Sequence, residues 1–359
     1  MKIFKLLLII ILSVNANLWS VNNGEIIYNN TIPYIIRGIN WNGLESDCLI
    51  PHGLWKNSLM YYINLLKYHG FNSIRTPISY ELMRNLNVIV NPYCVTAEPR
   101  LHNITVEDFL YIYFDTLKNE GITVLVDLHT IDGRITEYPY DNYITYSDTI
   151  DAWVEFLKKF GDKIYAIELK NEPHGICNFN EFISWCKDAI YNIEYKTNYQ
   201  GLYFISGTQI SNKYNTMNNA WGGSFSDIDI NNFPIEYKNR IVLSPHVYGT
   251  SVRSDSVKDD GSENWFNAFG FISKNDWILN ELPIIYTEIG GFLIGTDMEY
   301  YTRFLNWVKE NNLNKGIYWW TLPTTSMDTG GLFNDDNMNE LNWTKLNFIK
   351  TLIPNPTYI

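Results

Sequence analysis

"TVEDFLYIYFDTLKNEGITVLVDLH", residues 105–129, contains a helix and a strand written back to back. Thr105 with Asp108 three residues on resembles a capping box, which satisfies two of the backbone donors a helix start leaves free. An amphipathic segment follows, and Gly121 ends it. "TVLVDLH" (123–129) then reads as a strand, a short β-rich run without helical period. Working outward, similar runs occur as "YIIRGIN" (34–40), "NSIRTPI" (72–78), "AIELKNE" (166–172), "LYFISG" (202–207), "IVLSPHVY" (241–248), "PIIYTEIG" (283–290) and "GIYWWTL" (316–322), eight in all, starting 33 to 51 residues apart. Helical patterns separate most of them: "LMYYINLLKYHG" (59–70) with Gly70 at its end, "DTIDAWVEFLKKFG" (148–161) and "YYTRFLNWVKENN" (300–312). Strands alternating with helices predict a parallel sheet, and eight units are the count of a closed (β/α)8 TIM barrel, an α/β fold in one domain. A doubly wound open sheet is the competing reading, but no Gly-rich phosphate loop follows the first run.

Residues 1–16 stand apart. Lys2 and Lys5 flank the start of an apolar run over residues 6–12, and Val14-Asn15-Ala16 offers a small-residue cleavage site. The run is far shorter than the ~20 residues a membrane-spanning helix needs, so it reads as a secretory signal peptide. Residues 17–359 are then one domain, expected to be secreted and without membrane attachment. Losing the two lysines takes the formal charge from −12 to −14, a poor match for nucleic acid or anionic lipid. A hydrophobic share of 46% excludes a disordered chain. Twelve Trp and twenty-six Tyr exceed what a core requires, and aromatic faces in a groove suit the flat apolar faces of sugars. Sequons starting at Asn29, Asn103 and Asn342 fit a secreted glycoprotein. Cys48, Cys94, Cys177 and Cys186 allow up to two disulfides, with the short-range pair Cys177–Cys186 preferred and Cys48–Cys94 left over. No CxxC suggests a zinc or thioredoxin-type site.

A barrel of this kind carries its active site at the C-terminal ends of the strands. Six of the eight runs carry polar or aromatic residues there, where turn formers alone would serve. The second run carries Arg75, the third ends at His129 and the fourth at Asn171-Glu172. The sixth ends with His246 and Tyr248, the seventh holds Glu288, and the eighth has Trp319 and Trp320. Two carboxylates across a barrel mouth fit glycoside hydrolysis, in which one carboxyl protonates the leaving oxygen and the other attacks or activates water. The bland alternative for each glutamate is a buried ion pair to Arg75 or Lys170.

These residues bring a family into view. The chain resembles glycoside hydrolase family 5, the cellulase family, through "GINWNGLESDCLIPHGLW" (38–55), "GFNSIRTPIS", "DLH", "NEPHG", "HVY", "TEIGG" and "DTGGLF" (328–333), in the family's order. The resemblance implies Glu172 as general acid/base and Glu288 as nucleophile of a retaining mechanism, their carboxyls ~5–5.5 Å apart. It implies Asn171 on the 2-hydroxyl of the sugar being cleaved, and Arg75 and Tyr248 hydrogen-bonded to Glu288. His129 and His246 would bind sugar hydroxyls or support the glutamates. Trp320 would be the platform beneath the sugar, with Trp319 facing the helices. Trp41, in the first loop, is a further candidate for lining the cleft, with packing of the barrel top as the other reading. The family's second aromatic in the eighth loop is here Leu322. The loop after His129 has no Cys, although related enzymes tie it to the first loop, so Cys48 either finds Cys94 or stays free. Asp132, Arg134 and Glu137 read as a solvated polar loop, and His52 and His174 form no metal spacing. The expected activity is an endo-acting β-1,4-glucanase on β-glucan polysaccharide, working as a monomer without metal or cofactor. An endo-β-1,4-mannanase is the alternative within the family, and a secreted carbohydrate-binding protein without activity is the alternative outside it.

Overall fold

Ahead of the eight expected units the chain forms a small antiparallel sheet, of β1 (Trp19–Asn22), β2 (Glu25–Tyr28) and β3 (Ile32–Pro33), in the computed structural model, which describes residues 18–213, 221–253, 262–274 and 279–359. The expected leader lies outside the described residues. Asn23 and Gly24 join β1 to β2 with φ of 49° and 72°. Both central residues of a two-residue hairpin turn need positive φ, which Asn-Gly supplies at little cost. The signal is present in "VNNGEI" (21–26), a hairpin the strand pattern above does not include.

The barrel strands follow: β4 (Ile36–Asn40), β5 (Ser73–Ser79), β6 (Thr123–Thr130), β7 (Ala166–Glu168), β8 (Leu202–Ile205), β9 (Ile241–Leu243), β10 (His246–Tyr248), β11 (Tyr286–Gly290) and β12 (Gly316–Trp320). Their order is β10-β11-β12-β4-β5-β6-β7-β8-β9, parallel throughout. The two strands at the ends of that order are halves of one expected run, 241–248, divided at Ser244-Pro245, where proline has no N–H for the ladder. Leu243 N–H donates to Pro283 O and Ile285 N–H to Leu243 O, each 2.9 Å, which closes the sheet into an eight-unit barrel.

Helices α1 (Leu59–Tyr68), α2 (Tyr80–Arg84), α3 (Val106–Asn119), α4 (Tyr146–Phe160), α5 (Phe179–Lys196), α6 (Ser262–Ala268), α7 (Thr296–Glu310) and α8 (Trp343–Leu352) lie between and after the strands. Thr105 and Asp108 form the expected capping box at α3. At α4 the box is Thr145 with Asp148, so the helix begins two residues before the apolar pattern suggests. Asp148 is the third helical residue, not the first.

Inside the barrel, strand alternation sends Tyr318 and Trp320 inward and Trp319 out onto Tyr301 of α7 and Phe348 of α8. Tyr318 fills the space Gly38 leaves open: a Cβ there would sit 2.3 Å from the ring. Trp19 packs with Tyr28, Tyr34 and Tyr165, which places the N-terminal hairpin against the start of β7, at the end of the barrel away from the strand tips.

The preferred Cys177–Cys186 pair does not form. The disulfide is Cys48–Cys94, and Cys177 and Cys186 are buried free thiols. Asn178 caps α5, and at ~1.5 Å per residue the helix carries Cys186 about two turns from its start. That is beyond the ~7 Å Cα separation a disulfide can bridge.

Candidate active site

The tips of the strands bring together Arg75, Glu172, His246, Tyr248 and Glu288. Arg75 is fully buried on β5, and each of its three nitrogens meets at least one acceptor. Nη1 donates to Glu288 Oε1 (2.7 Å) and Asn40 Oδ1 (2.8 Å), and Nη2 to Asn171 Oδ1 (2.8 Å), while Asp127 Oδ2 forms an ion pair with Nη2 at 3.0 Å. Nε donates to Glu168 Oε2 at 2.6 Å. The planar fork of arginine suits this multi-carboxylate contact in a way an ammonium would not. Tyr248 Oη donates to the other oxygen of Glu288 at 2.5 Å.

β11 shifts register against β12 between Tyr286 and Ile289. Across this irregularity Thr287 and Glu288 both reach the interior, Thr287 to Glu168 and Glu288 to Arg75. Bulges commonly re-aim side chains beside active sites. Glu172 lies past the end of β7 with φ of 44°, a left-handed backbone that costs a non-glycine residue ~1–3 kcal/mol and is found where surroundings enforce it. His246 Nδ1 sits between the two carboxyls, 3.0 Å from Glu172 Oε1 and 3.5 Å from Glu288 Oε2.

Burial pushes Glu172 up to about 7, against the lowering pull of His129, Arg75 and Lys170. Burial raises Glu288 as well, opposed by His246 and Arg75. Direct hydrogen bonds from a guanidinium and a phenol favour the anion of Glu288, whereas Glu172 has neither. Of the two, Glu172 is therefore the carboxyl that keeps its proton near neutral pH.

The remaining expected residues divide. Asn171 is buried, its carbonyl held by Arg75 and its Nδ2 without a protein partner. His129 is set by Asp127, Nδ1 to Oδ2 at 2.7 Å, and lies parallel to Trp320 with ring centroids 5.3 Å apart. Trp320 Nε1 donates to Ser326, which fixes the ring. Trp41 does not line the cleft. It is completely buried, packs on Tyr62 and Tyr113, and donates Nε1–H to His52 O, so it belongs to the barrel top.

Leu322 is likewise buried. Arg134 bonds Asp132 and Asp141 within the exposed third loop, while Glu137 accepts from Ile176 N–H. His52 ties the first loop to the eighth through Thr325. His174 bonds the carbonyl of Glu172 and stacks at 4.0 Å on Trp221.

Four residues of the site are missing from the sequence reading, one of them Asn40, which ends β4 and accepts from Arg75. Asp127 and Glu168 are polar residues inside β-rich runs, at positions where a packed strand would hold apolar ones, and that was their signal. Trp221, partly exposed beside Gly222 next to Glu172, follows no strand end.

Among the described residues one trio, Glu172, His246 and Glu288, could offer three ligand atoms to a metal ion, all within 4.8 Å of one another. The Arg75 guanidinium 2.7 Å from Glu288 already supplies the local positive charge and opposes a second cation. Two close carboxyls, one holding its proton and one held as an anion, can instead serve as an acid and a nucleophile on either side of a bond.

Comparison with known proteins points the same way. The sequence model of the family described as cellulase (glycosyl hydrolase family 5) matches residues 30–324. An endoglucanase of Paenibacillus polymyxa is 27% identical over 336 residues, covering 87% of this chain and 79% of that protein. The major extracellular endoglucanase of Xanthomonas campestris pv. campestris is 26% identical, with 93% and 71% covered. Its catalytic domain superposes with a TM-score of 0.82 at 22% identity, covering 94% of this chain and all of that one. A hyperthermophilic endocellulase of Pyrococcus horikoshii superposes equally well at 23% identity, with 93% and 98% covered.

Proposed function

The chain belongs to the cellulase family, glycosyl hydrolase family 5, and from that premise we propose that it is a retaining endo-β-1,4-glucanase. The observation that supports the mechanism is the closeness of Glu172 and Glu288, one carboxylate oxygen of each lying within 4.8 Å of the other. An inverting pair stands ~6.5–9.5 Å apart to admit a water, whereas a retaining pair stands closer. Glu288, aimed by Arg75 and Tyr248, attacks the anomeric carbon as Glu172 gives its proton to the leaving glycosidic oxygen. Glu172, now a carboxylate, takes a proton from water, which releases the sugar from Glu288. His246 between the two carboxyls keeps both in register. Asn171 Nδ2 is the donor for the 2-hydroxyl, a contact that strengthens as charge develops on the sugar ring. Trp320 and Trp221 offer aromatic faces to successive sugars.

The glucan specificity is supported by the endoglucanase and endocellulase names of the relatives. We infer secretion from residues 1–16 and from the extracellular relative; no helix among the described residues is long and apolar enough to cross a membrane.

The test is reducing-end release from soluble β-1,4-glucan and from β-mannan, for wild type and Glu288→Gln. Glucan cleavage that falls by several orders of magnitude in the variant is the expected result. Cleavage of mannan alone would move the substrate, and full activity in the variant would remove Glu288 as nucleophile.

A further inference from the structure

One level below the catalytic pair, Glu168 on β7 is completely buried and cannot touch substrate. Oε2 accepts from Arg75 Nε–H at 2.6 Å. Oε1 accepts from the hydroxyls of Ser206 (2.9 Å), Ser244 (2.7 Å) and Thr287 (2.9 Å). These donors come from the ends of β8 and β9 and from β11, so one carboxylate ties together the walls beneath Glu288. Every neighbour that bonds Glu168 donates to it. Against the desolvation of burial, Arg75, His246 and the Ser244 hydroxyl hold it below the ordinary carboxylate range.

Arg75 faces three carboxylates, Asp127, Glu168 and Glu288. Because a guanidinium is planar, fixing the direction of Nε–H fixes the plane of both Nη groups. Glu168 makes that contact, and Nη1 and Nη2 then reach Glu288 and Asn171. We propose that Glu168 is a positioning residue for this reaction: it orients Arg75 and matches its charge, so that Arg75 aims Glu288 without neutralising the nucleophile. The proposal rests on Glu288 being the nucleophile, which Glu288→Gln tests separately.

Glu168→Gln in the full chain keeps the side-chain shape and removes the charge. The ionisable groups around it are Arg75 on β5, Asp127 on β6, Lys170 beyond β7, His246 on β10 and Tyr318 on β12. On soluble β-1,4-glucan we expect kcat to fall about tenfold or more, with KM changed less than about twofold. The acid limb of the kcat/KM profile, which reports Glu288 in the free enzyme, should move to lower pH because a negative neighbour is gone. A folded Glu168→Gln protein with wild-type kcat and an unmoved acid limb would overturn the proposal, whatever its melting temperature. If that variant does not fold, Thr287→Val and Ser244→Ala each remove one donor to Glu168 and leave Arg75 in place. A drop of a few-fold in kcat at constant KM in either one supports the proposal, and wild-type kcat in both overturns it.

Discussion

Glu172 is the residue whose environment shows most directly in measurable behaviour. Its folded-state value near 7 lies above that of an exposed glutamate, so the native protein holds this proton more tightly than the unfolded chain does. The contribution of Glu172 to stability is therefore complete at low pH and declines as pH rises from about 4.5 towards 7. Glu172→Gln removes that decline. Above pH 7 the variant should be more stable than wild type by about 3 kcal/mol, and the two should converge near pH 4, as thermal melts across pH would show. With Glu172 as the proposed acid, the same proton would set the alkaline limb of activity, and kcat/KM on soluble glucan should fall above about pH 7. A wild-type rate unchanged to pH 9 would mean that Glu172 is not the acid. At this scale the sequence revealed those residues that stand at strand ends. Trp41 also follows a strand directly, yet its ring turns into the barrel top, and nothing in "GINWNG" states the direction of a side chain.

At the scale of elements, capping chemistry and glycine stops were readable because they are local. α3 starts and ends where Thr105, Asp108 and Gly121 place it. β9 and β10 read as one run because proline interrupts a ladder only once a neighbouring strand is present to be paired. The loops were the least legible elements, and the disulfide is the clearest case. Cys48–Cys94 joins the loop after β4 to the 3-10 turn Pro92–Val95, closing 46 residues of sequence. Loop-closure entropy alone gives such a cross-link ~4 kcal/mol. Cys48→Ser with Cys94→Ser should lower the midpoint of denaturant unfolding accordingly, while Cys177→Ser with Cys186→Ser should leave no disulfide broken on a non-reducing mass map. Finding Cys177 and Cys186 joined in the wild type would contradict the pairing.

Across the whole molecule, the chemistry lies at one end of the barrel and the hairpin at the other. Trp19, 6% exposed among Tyr28, Tyr34 and Tyr165, is the anchor of that closure. Trp19→Ala should cost ~3–5 kcal/mol, the range for a buried large aromatic. Because no residue of the site touches it, KM and kcat at 25 °C should stay as in wild type while the melting temperature falls. A change in KM without loss of stability would instead tie the hairpin to the cleft.

The eight-unit barrel and the family were determined by sequence alone, and the two glutamates proposed as acid and nucleophile stood out there, since hydrophobic period, caps and a few ordered motifs are all short-range statements about neighbours in the chain. Which polar residues share Arg75, which cysteines meet and which tryptophans face the cleft were decided only by tertiary structure. Asn40, Asp127, Glu168, Asn171 and Glu288 are up to 248 residues apart and meet at one guanidinium. Their meeting depends on barrel closure and on the irregular stretch of β11, and a buried carboxylate acquires its character from the donors that closure brings to it.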